Sequence, residues 1–277
     1  MIHVMVRSIL IICLGLFISQ VSAQEAGESM STDSMAAVND SSILASDSLS
    51  IQEDSNFVAP GPSLDKNLEH SRVYRNFDEA LLYAENVFKL DLSNREVDSV
   101  PKSITAFINL NFLVLGNNNI SELPKEIDSL KALGMLFLDN NVLKELPSSI
   151  ANLSALKCLD LGNNELTSLP EELYGMSNLQ WLILRNNKLG SIPSNIENLT
   201  NIKKLYLDGN GLSILPDEIG SLTELQVLSV SNNNISSIPE SLSSLKSLKS
   251  INIKGNKLSG DEIEKVKSWF PKAEVIL

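Results

Sequence analysis

The sequence holds few side chains that could carry out chemistry. It contains two histidines, His3 and His70, and two cysteines, Cys13 and Cys158. Nucleophilic catalysis of the Ser-His-Asp or Cys-His type needs a histidine beside its nucleophile, and no histidine follows position 70. Two cysteines are also too few for a disulfide-stapled scaffold or a four-thiolate zinc site. These counts predict a protein without such catalysis, and without a bound metal or cofactor.

Asp139 and Asp160 form the one carboxylate pair whose spacing fits acid–base chemistry. We expect them on one face of neighbouring strands, roughly 7 to 8 Å apart, a separation that suits glycoside hydrolysis. We also expect this face to be broad and hydrated, so that neither carboxyl group gains the raised pKa of a general acid. The pair is therefore predicted to be solvated surface, and an enzyme built on it is the alternative.

Charge and motifs exclude other classes of function. The net charge of -12 and the isoelectric point near 4.7 argue against nucleic acid, whose binding requires lysines and arginines at the phosphates. Neither a glycine-rich phosphate loop nor an EF-hand run of aspartates occurs. The sequence therefore favours the binding of a protein, a peptide or a glycan.

A 23-residue repeat must position these side chains. Its units begin at Val87 and recur up to Leu248 with the pattern LxxLxLxxNxLxxLPxxIxxLxx, which accounts for the 45 leucines and many of the 28 asparagines. Alternation along each short strand directs leucines such as Leu136 and Leu138 inward and their neighbours outward. One unit cannot bury its leucines alone, whereas stacked units can. The repeat therefore predicts a stack of parallel strands.

Two other repeated residues have structural roles in this stack. An asparagine recurs where the chain leaves each strand, from Asn118 to Asn256, and its amide can bond backbone groups of adjacent turns. Arg95 replaces it in the first unit, which has no preceding unit to bond. A proline, from Pro101 to Pro239, sets the backbone on the outer side, and a short or irregular helix is expected after it.

This pattern resembles the leucine-rich repeat family, specifically its 23-residue LP-containing group, which includes Ras-group scaffolds and many bacterial proteins. The resemblance implies an α/β repeat solenoid, a horseshoe or arc with a parallel concave sheet of about eight strands. Seven repeats are expected over residues 87–247. They would be preceded by an N-terminal cap helix within residues 66–86 and followed by a terminal strand and C-terminal cap helix over residues 248–277.

The two ends of the stack need covers, because exposed strand edges invite aggregation. Asn76 and Glu79 are spaced as a capping box before a short amphipathic helix, and Ser259 and Glu262 repeat this spacing before a second helix. A closing strand is expected over residues 273–277. Such caps without cysteine pairs are similar to those of bacterial members of the family, which favours an exported bacterial protein.

Outward residues on successive strands lie about 4.8 Å apart and form ladders across the concave face. Apolar residues converge there into a patch with charged neighbours, which we expect to be exposed and to act as a protein-binding hot spot. Stiffening of the sheet by cross-strand contacts is the alternative. Cys158 falls in the same patch, as a small apolar side chain or as a thiol open to oxidation or pairing. The predicted partner-binding residues are Phe112, Val114, Met135, Phe137, Asp139, Asp160, Trp181, Ile183, Arg185, Lys204, Tyr206 and Asp208.

The N-terminal part of the chain differs from the repeats. Arg7, a mostly apolar run over residues 8–18 and the small residues Val21 and Ala23 predict a signal peptide over residues 1–23, with a membrane anchor as the alternative. Residues 24–65 contain eight acidic residues and no Lys or Arg. This serine-rich segment is predicted to be a disordered linker, and masking of the binding face is its alternative role.

These observations predict an exported, non-enzymatic module that binds a protein or peptide through the concave face. Its predicted location is periplasmic, cell-surface or secreted. No nucleic acid, cofactor or metal is expected, the mature chain is expected to lack a membrane span, and a monomer is the default. A structural or adhesion protein of the cell envelope that binds glycan or a matrix polymer is the alternative function.

Overall fold

The computed structural model describes residues 71–277, which belong to one compact unit. The predicted signal peptide, the predicted linker and His70 lie outside the described residues. Within residues 71–277, none of the helices has the length and apolar character needed to cross a membrane.

Short parallel strands form a single sheet in which the strands follow one another in chain order. Among the described residues, the sheet has ten strands where about eight were expected. A strand that was not predicted precedes the first repeat, and the closing strand expected within residues 273–277 also joins the sheet. The strands are β1 (Val73–Tyr74), β2 (Lys89–Asp91), β3 (Phe112–Val114), β4 (Met135–Phe137), β5 (Cys158–Asp160), β6 (Trp181–Ile183), β7 (Lys204–Tyr206), β8 (Val227–Ser229), β9 (Ser250–Asn252) and β10 (Glu274–Ile276).

The register of the sheet follows the repeat length. Leu136 at the centre of β4 pairs with Leu113 of β3 and with Leu159 of β5, each one repeat length away along the chain. Equivalent residues of successive units therefore stand in columns across the sheet. The central column is leucine or isoleucine from β2 to β9 and is fully buried in the core.

On the outer side, each repeat proline precedes a short 3-10 helix. Pro124, for example, has φ -66° and ψ 143°, the extended backbone from which the 3-10 helix begins. Each of these helices directs an apolar residue such as Ile127 or Ile150 into the core. A further 3-10 helix precedes the first repeat. The 3-10 helices are Ala84–Asn86, Lys102–Ala106, Lys125–Ser129, Ser148–Asn152, Glu171–Gly175, Ser194–Asn198, Asp217–Ser221 and Glu240–Ser244.

The repeated asparagines bond the backbone of the preceding unit, as the sequence predicted. The Asn164 side-chain NH2 donates to the carbonyls of Leu138 and Leu161 at 2.9 and 3.0 Å, and its oxygen accepts from the Leu143 N–H at 3.0 Å. Asn118 accepts in the same way from the Arg95 and Val97 N–H groups of the first unit. Arg95 has no earlier unit to serve, which explains the departure from asparagine.

The residue before each of these asparagines has a left-handed backbone in several units. Asn117 has φ 56° and Asn163 has φ 54°, and Gly209 and Gly255 occupy the same place in later units. Asparagine and glycine are the residues that tolerate this conformation best. The Asn-Asn and Gly-Asn pairs of the sequence thus combine a turn residue with a backbone-bonding residue.

A helix packs onto the core near each end. Helix α1 (Phe77–Leu81) begins at Asn76, whose side chain accepts from the Glu79 N–H at 2.8 Å, and the Phe77 ring meets the Phe107 ring edge-on. Within residues 71–86, β1 and a 3-10 helix flank α1.

Helix α2 (Gly260–Trp269) begins at Ser259, whose hydroxyl oxygen accepts from the Glu262 N–H at 3.2 Å. Its Val266 is buried as part of the core. The segment predicted as a closing strand contains β10, which pairs in parallel with β9. Both ends of the described sheet therefore carry a short strand and a helix.

Candidate binding face

The side of the sheet opposite the core is termed the concave face. Its first column contains Phe112, Met135, Cys158, Trp181 and Lys204, which pair directly across strands β3 to β7. The second column contains Val114, Phe137, Asp160, Ile183 and Tyr206 on the same strands. Asp139, Arg185 and Asp208 follow the ends of β4, β6 and β7 and form a third column. All twelve predicted residues thus belong to three neighbouring columns.

Six buried apolar residues of this face are not part of the hydrophobic core. They lie on β3 to β6, and the rings of Phe112 and Phe137 pack at 5.4 Å between centroids. The core formed by the repeated leucines does not need them. The six residues, termed the concave apolar cluster, are Phe112, Val114, Met135, Phe137, Cys158 and Trp181.

The expectation that this patch is exposed is wrong for its central residues. Phe137 is 5% exposed and Trp181 9% exposed, and Val114 and Cys158 are almost completely buried. Bulky side chains on strands about 4.8 Å apart contact each other across the columns, which reduces the area left to solvent. Cys158 therefore occupies the place of a small apolar residue. Ile183 and Tyr206 are half-buried and remain more accessible.

Two cationic residues of the face pack on aromatic rings. The Arg185 guanidinium lies 4.0 Å from the centre of the Tyr206 ring, and the Lys204 ammonium lies 4.2 Å from the centre of the Trp181 ring. Contacts of this geometry are attractive because the ring face is electron-rich. The sequence predicted charged neighbours but not this stacking, although Trp181 and Lys204 stand one repeat apart and could have been paired.

Asp208 is held by an ion pair and two serines. Its Oδ2 lies 3.2 Å from Arg185 Nε, and its Oδ1 accepts from the Ser229 hydroxyl and from the Ser231 hydroxyl and N–H. Ser229 and Ser231 were not predicted to belong to this face. The sequence contains the signal that would have identified them, because the two serines occupy the second and third columns of one unit. These contacts fix Arg185 between Tyr206 and Asp208.

Asp139 and Asp160 are buried, contrary to the expected solvated surface. Asp139 is 9% exposed and Asp160 is 4% exposed. Burial, together with the charge of Asp139, raises the pKa of Asp160 to about 7, against the opposing effects of the Gly162 N–H and Arg185. Burial also raises the pKa of Asp139. Phe137 and Ile183, the apolar neighbours on either side of Asp160, explain why the expectation was wrong.

A buried carboxyl group with a raised pKa beside a second carboxyl group meets one requirement of acid–base catalysis. Perturbed pKa values also occur in networks of charges that have no catalytic role. Within residues 71–277, no group of three or more His, Cys, Asp or Glu side chains is arranged to hold a metal ion. The pair thus offers hydrogen-bond acceptors and a titratable charge at the centre of the concave face.

The chain belongs to the leucine-rich repeat family. The family model described as "Leucine-rich repeat region" matches residues 86–186 and 152–268. This match spans the repeats and most of the C-terminal helix α2, so the family covers most of the described residues. No curated protein sequence matches the chain.

Two solved structures illustrate the same fold. An internalin from Listeria monocytogenes has a TM-score of 0.63 and 24% identity over 70% of this chain and 56% of its own. The plant peptide hormone receptor RGFR1, in complex with RGF2, has a TM-score of 0.52 and 34% identity over 58% of this chain and 26% of its own. The chain therefore spans only part of either protein. Stacked repeats of this kind create extended concave surfaces that serve binding.

Proposed function

We propose that this protein is exported and acts as a non-enzymatic module that binds a protein or peptide through its concave face. The binding residues would be the half-buried Ile183, Arg185, Lys204 and Tyr206, together with the accessible edge of Trp181. The remaining residues of the concave apolar cluster would hold them in place. The proposal extends to the LP-containing type of repeat and to a periplasmic, cell-surface or secreted location.

The observation that carries this proposal is the concave apolar cluster itself. Repeat stacking is complete without these side chains, because the leucine columns on the other face form the core. Clustered aromatic and arginine side chains beside a polar rim are typical of protein-binding hot spots. The structurally similar peptide hormone receptor RGFR1 is in complex with RGF2, which supports a peptide or protein as the class of partner.

Export is supported by the sequence of residues 1–23. A basic residue, an apolar run and small residues at the predicted cleavage site are the features that signal peptidase substrates share. A cleaved signal would leave the acidic segment of residues 24–65 as a tether before the repeats.

A structural or adhesion role in the cell envelope, with glycan or a matrix polymer as ligand, is the second candidate. Aromatic side chains such as Trp181 and Tyr206 would also stack on sugar rings. Retention of the protein on a polysaccharide column, with loss of retention in Trp181→Ala, would favour this function over protein binding.

Affinity capture from the native envelope and secreted fractions tests the main proposal. The wild type is compared with Trp181→Ala and with Ile214→Ala, which removes a large apolar side chain that is 61% exposed and belongs to another part of the repeat. We expect Trp181→Ala to lose the captured protein and Ile214→Ala to retain it, because hot-spot residues contribute most of the binding energy.

Thermal unfolding of both variants accompanies the capture. Equal capture by wild type and Trp181→Ala would contradict the proposed face, and capture that is lost only together with the folded state would do the same. Phe137→Asp is unsuitable as a probe, because it would bury a further carboxylate beside Asp160.

A further inference from the structure

Four aspartates of the concave face differ in how they are partnered. Asp208 has Arg185 and two serines, and Asp91 accepts from the Ser93 N–H and hydroxyl and lies 3.8 Å from Arg75. Asp139 and Asp160 have neither an ion pair nor a hydroxyl donor among the described residues. Asp160, the most buried of the four, thus has no cation of its own, and its neighbour Asp139 has none either.

Within residues 71–277, each of these two carboxylates accepts a side-chain or main-chain hydrogen bond at one oxygen only. Asp160 Oδ1 accepts from the Gly162 N–H at 2.9 Å, and Asp139 Oδ2 accepts from the Asn140 side chain at 2.6 Å. Asp160 is more than nine-tenths buried, and its second oxygen accepts no hydrogen bond from residues 71–277. Arg185 acts on the charge of Asp160, but its Nε lies 3.2 Å from Asp208 Oδ2 and its Cζ lies 4.0 Å from the centre of the Tyr206 ring.

The two carboxylates lie over glycines of the third column. Gly116 and Gly162 stand on either side of Asp139 in the third column. A Cβ atom at Gly116 would lie 2.5 Å from Asp139 Oδ1, and one at Gly162 would lie 3.2 Å from Asp160 Oδ1. Larger residues at these places would displace the carboxylates, so no side chain of the third column covers them there.

Uncompensated carboxylates at such low exposure are unfavourable, because burial removes water that would otherwise solvate the charge. A cation placed between them would restore the balance and would gain charge-assisted hydrogen bonds. Among residues 71–277, no third His, Cys, Asp or Glu joins the two carboxylates. An organic cation needs no further ligand, because its N–H groups bond directly to carboxylate oxygens. Phe137 and Ile183 flank Asp160 and would contact the methylene groups of a long basic side chain.

We propose that Asp139 and Asp160 form a subsite of the concave face that takes a basic side chain of the bound protein or peptide, with arginine preferred over lysine. The planar guanidinium has several donors in a fork and can serve both carboxylates at once, whereas an ammonium group presents a single point charge. This inference rests on the proposed function, since it names the chemistry of the partner at the same face.

Selection of random 12-residue peptides displayed on phage tests the subsite with the full chain as target. We expect the selected peptides to share an arginine or lysine at one position and to bind Asp160→Asn at least about tenfold more weakly than the wild type. Replacement of that arginine by citrulline, which is nearly isosteric and uncharged, should weaken binding to the wild type by a similar factor. The citrulline peptide should lose little further affinity on Asp160→Asn, because the same interaction has been removed twice.

Asp217→Asn is the matched control, since it removes an exposed carboxylate outside the concave columns and should leave the affinity unchanged. Thermal unfolding of Asp160→Asn checks that the variant is folded. Peptides that lack a shared basic residue, or that bind Asp160→Asn as tightly as the wild type, would overturn the inference. Calcium or magnesium that raises the unfolding temperature of the wild type but not of Asp160→Asn would also overturn it, in favour of a metal.

Trp181→Ala separates failure of the subsite from failure of the proposed function. If Trp181→Ala loses the peptides while Asp160→Asn and the citrulline peptide do not, the concave face binds peptides and only the subsite is wrong. If no peptide is selected, or if the selected peptides bind Trp181→Ala normally and show no preference for a basic residue, both proposals fail.

Discussion

Each repeat strand of the sheet directs a leucine or isoleucine toward the core and two unrelated residues toward the concave face. In β4 the core residue is Leu136 and the concave residues are Met135 and Phe137, whereas in β7 Leu205 lies between Lys204 and Tyr206. The core side thus recurs in every unit while the concave side changes from strand to strand. Residues that recur maintain the stack, and residues that vary on an equally regular backbone are free to recognise a partner.

The largest expected loss of stability comes from the asparagine column, which recurs in every unit, whereas the residues of the concave face vary. Asn164→Ala leaves the buried Leu143 N–H without a partner. It also removes one of the two side-chain hydrogen bonds to each of the Leu138 and Leu161 carbonyls, which still accept from an asparagine of an adjacent unit. We expect the free energy of unfolding in urea to fall by roughly 2 to 6 kcal/mol, at about 1–3 kcal/mol for the unsatisfied N–H and about 0.5–1.5 kcal/mol for each of the two other lost hydrogen bonds.

Asn117→Gly provides the control for that change. Asn117 has a left-handed backbone, and glycine already occupies the equivalent place at Gly209 and Gly255. The change should alter the free energy of unfolding by less than about 1 kcal/mol, because glycine adopts this conformation without steric cost. A similar loss in both variants would mean that the asparagine column is no more important than the turn that precedes it.

The second effect concerns the concave face and depends on pH. The folded-state pKa of Asp160 is about 7, above the ordinary value of 3.8, so the folded protein binds this proton more tightly than the unfolded chain does. The free energy of unfolding should therefore fall as pH rises from about 4 to about 7, by up to about 4 kcal/mol. Asp160→Asn should remove most of this decline and be more stable than the wild type at pH 8.

Urea unfolding of wild type, Asp160→Asn and Asp217→Asn across this pH range measures the effect. The informative quantity is the difference between wild type and each variant, since other groups titrate in all three proteins. A difference between wild type and Asp160→Asn that stays constant with pH would show that Asp160 is not held in a raised-pKa environment.

The smallest expected effect compares neighbours on one strand. Leu136 and Met135 are both almost fully buried, but Leu136 belongs to the core and Met135 to the concave apolar cluster. Leu136→Ala should cost about 3 kcal/mol, as is typical of a closed cavity in a core. Met135→Ala should cost about 1 kcal/mol, because a gap at the edge of the molecule can be filled by solvent or by movement of its neighbours. Equal losses in urea unfolding would contradict the assignment of Met135 to a separate surface cluster.

Sequence reasoning predicted those parts of the fold that depend on local, repeated requirements. The register of Leu136 on Leu113, and the role of Asn164, both follow from a spacing that recurs in every unit. β1 was missed because Val73–Tyr74 is too short to give a pattern and is defined only by its pairing with β2. The residues of the concave face were predicted correctly as columns, since alternation along a strand is local.

Accessibility within those columns could not be predicted in the same way. The burial of Asp160 depends on the size of its neighbours in other repeats, such as Phe137 and Ile183, and on the absence of a side chain at Gly162. The pKa of Asp160 then depends on this burial and on Asp139. These quantities are properties of a three-dimensional neighbourhood that no single repeat contains.

The asparagine column makes the N-terminal and C-terminal ends of the stack unequal. Asn164 serves backbone groups of the unit before it, so each turn relies on the turn that follows. Removal of units from either end exposes a strand edge, but only removal from the C-terminal side also takes away the asparagine that the last remaining turn needs. At the C-terminal end the cap supplies hydrogen bonds to the last units. The Ile238 N–H donates to the Glu262 side chain, and the Ile253 N–H donates to the Ile276 carbonyl. We therefore expect proteolytic cleavage near α2 to lower the free energy of unfolding more than cleavage near β1 does.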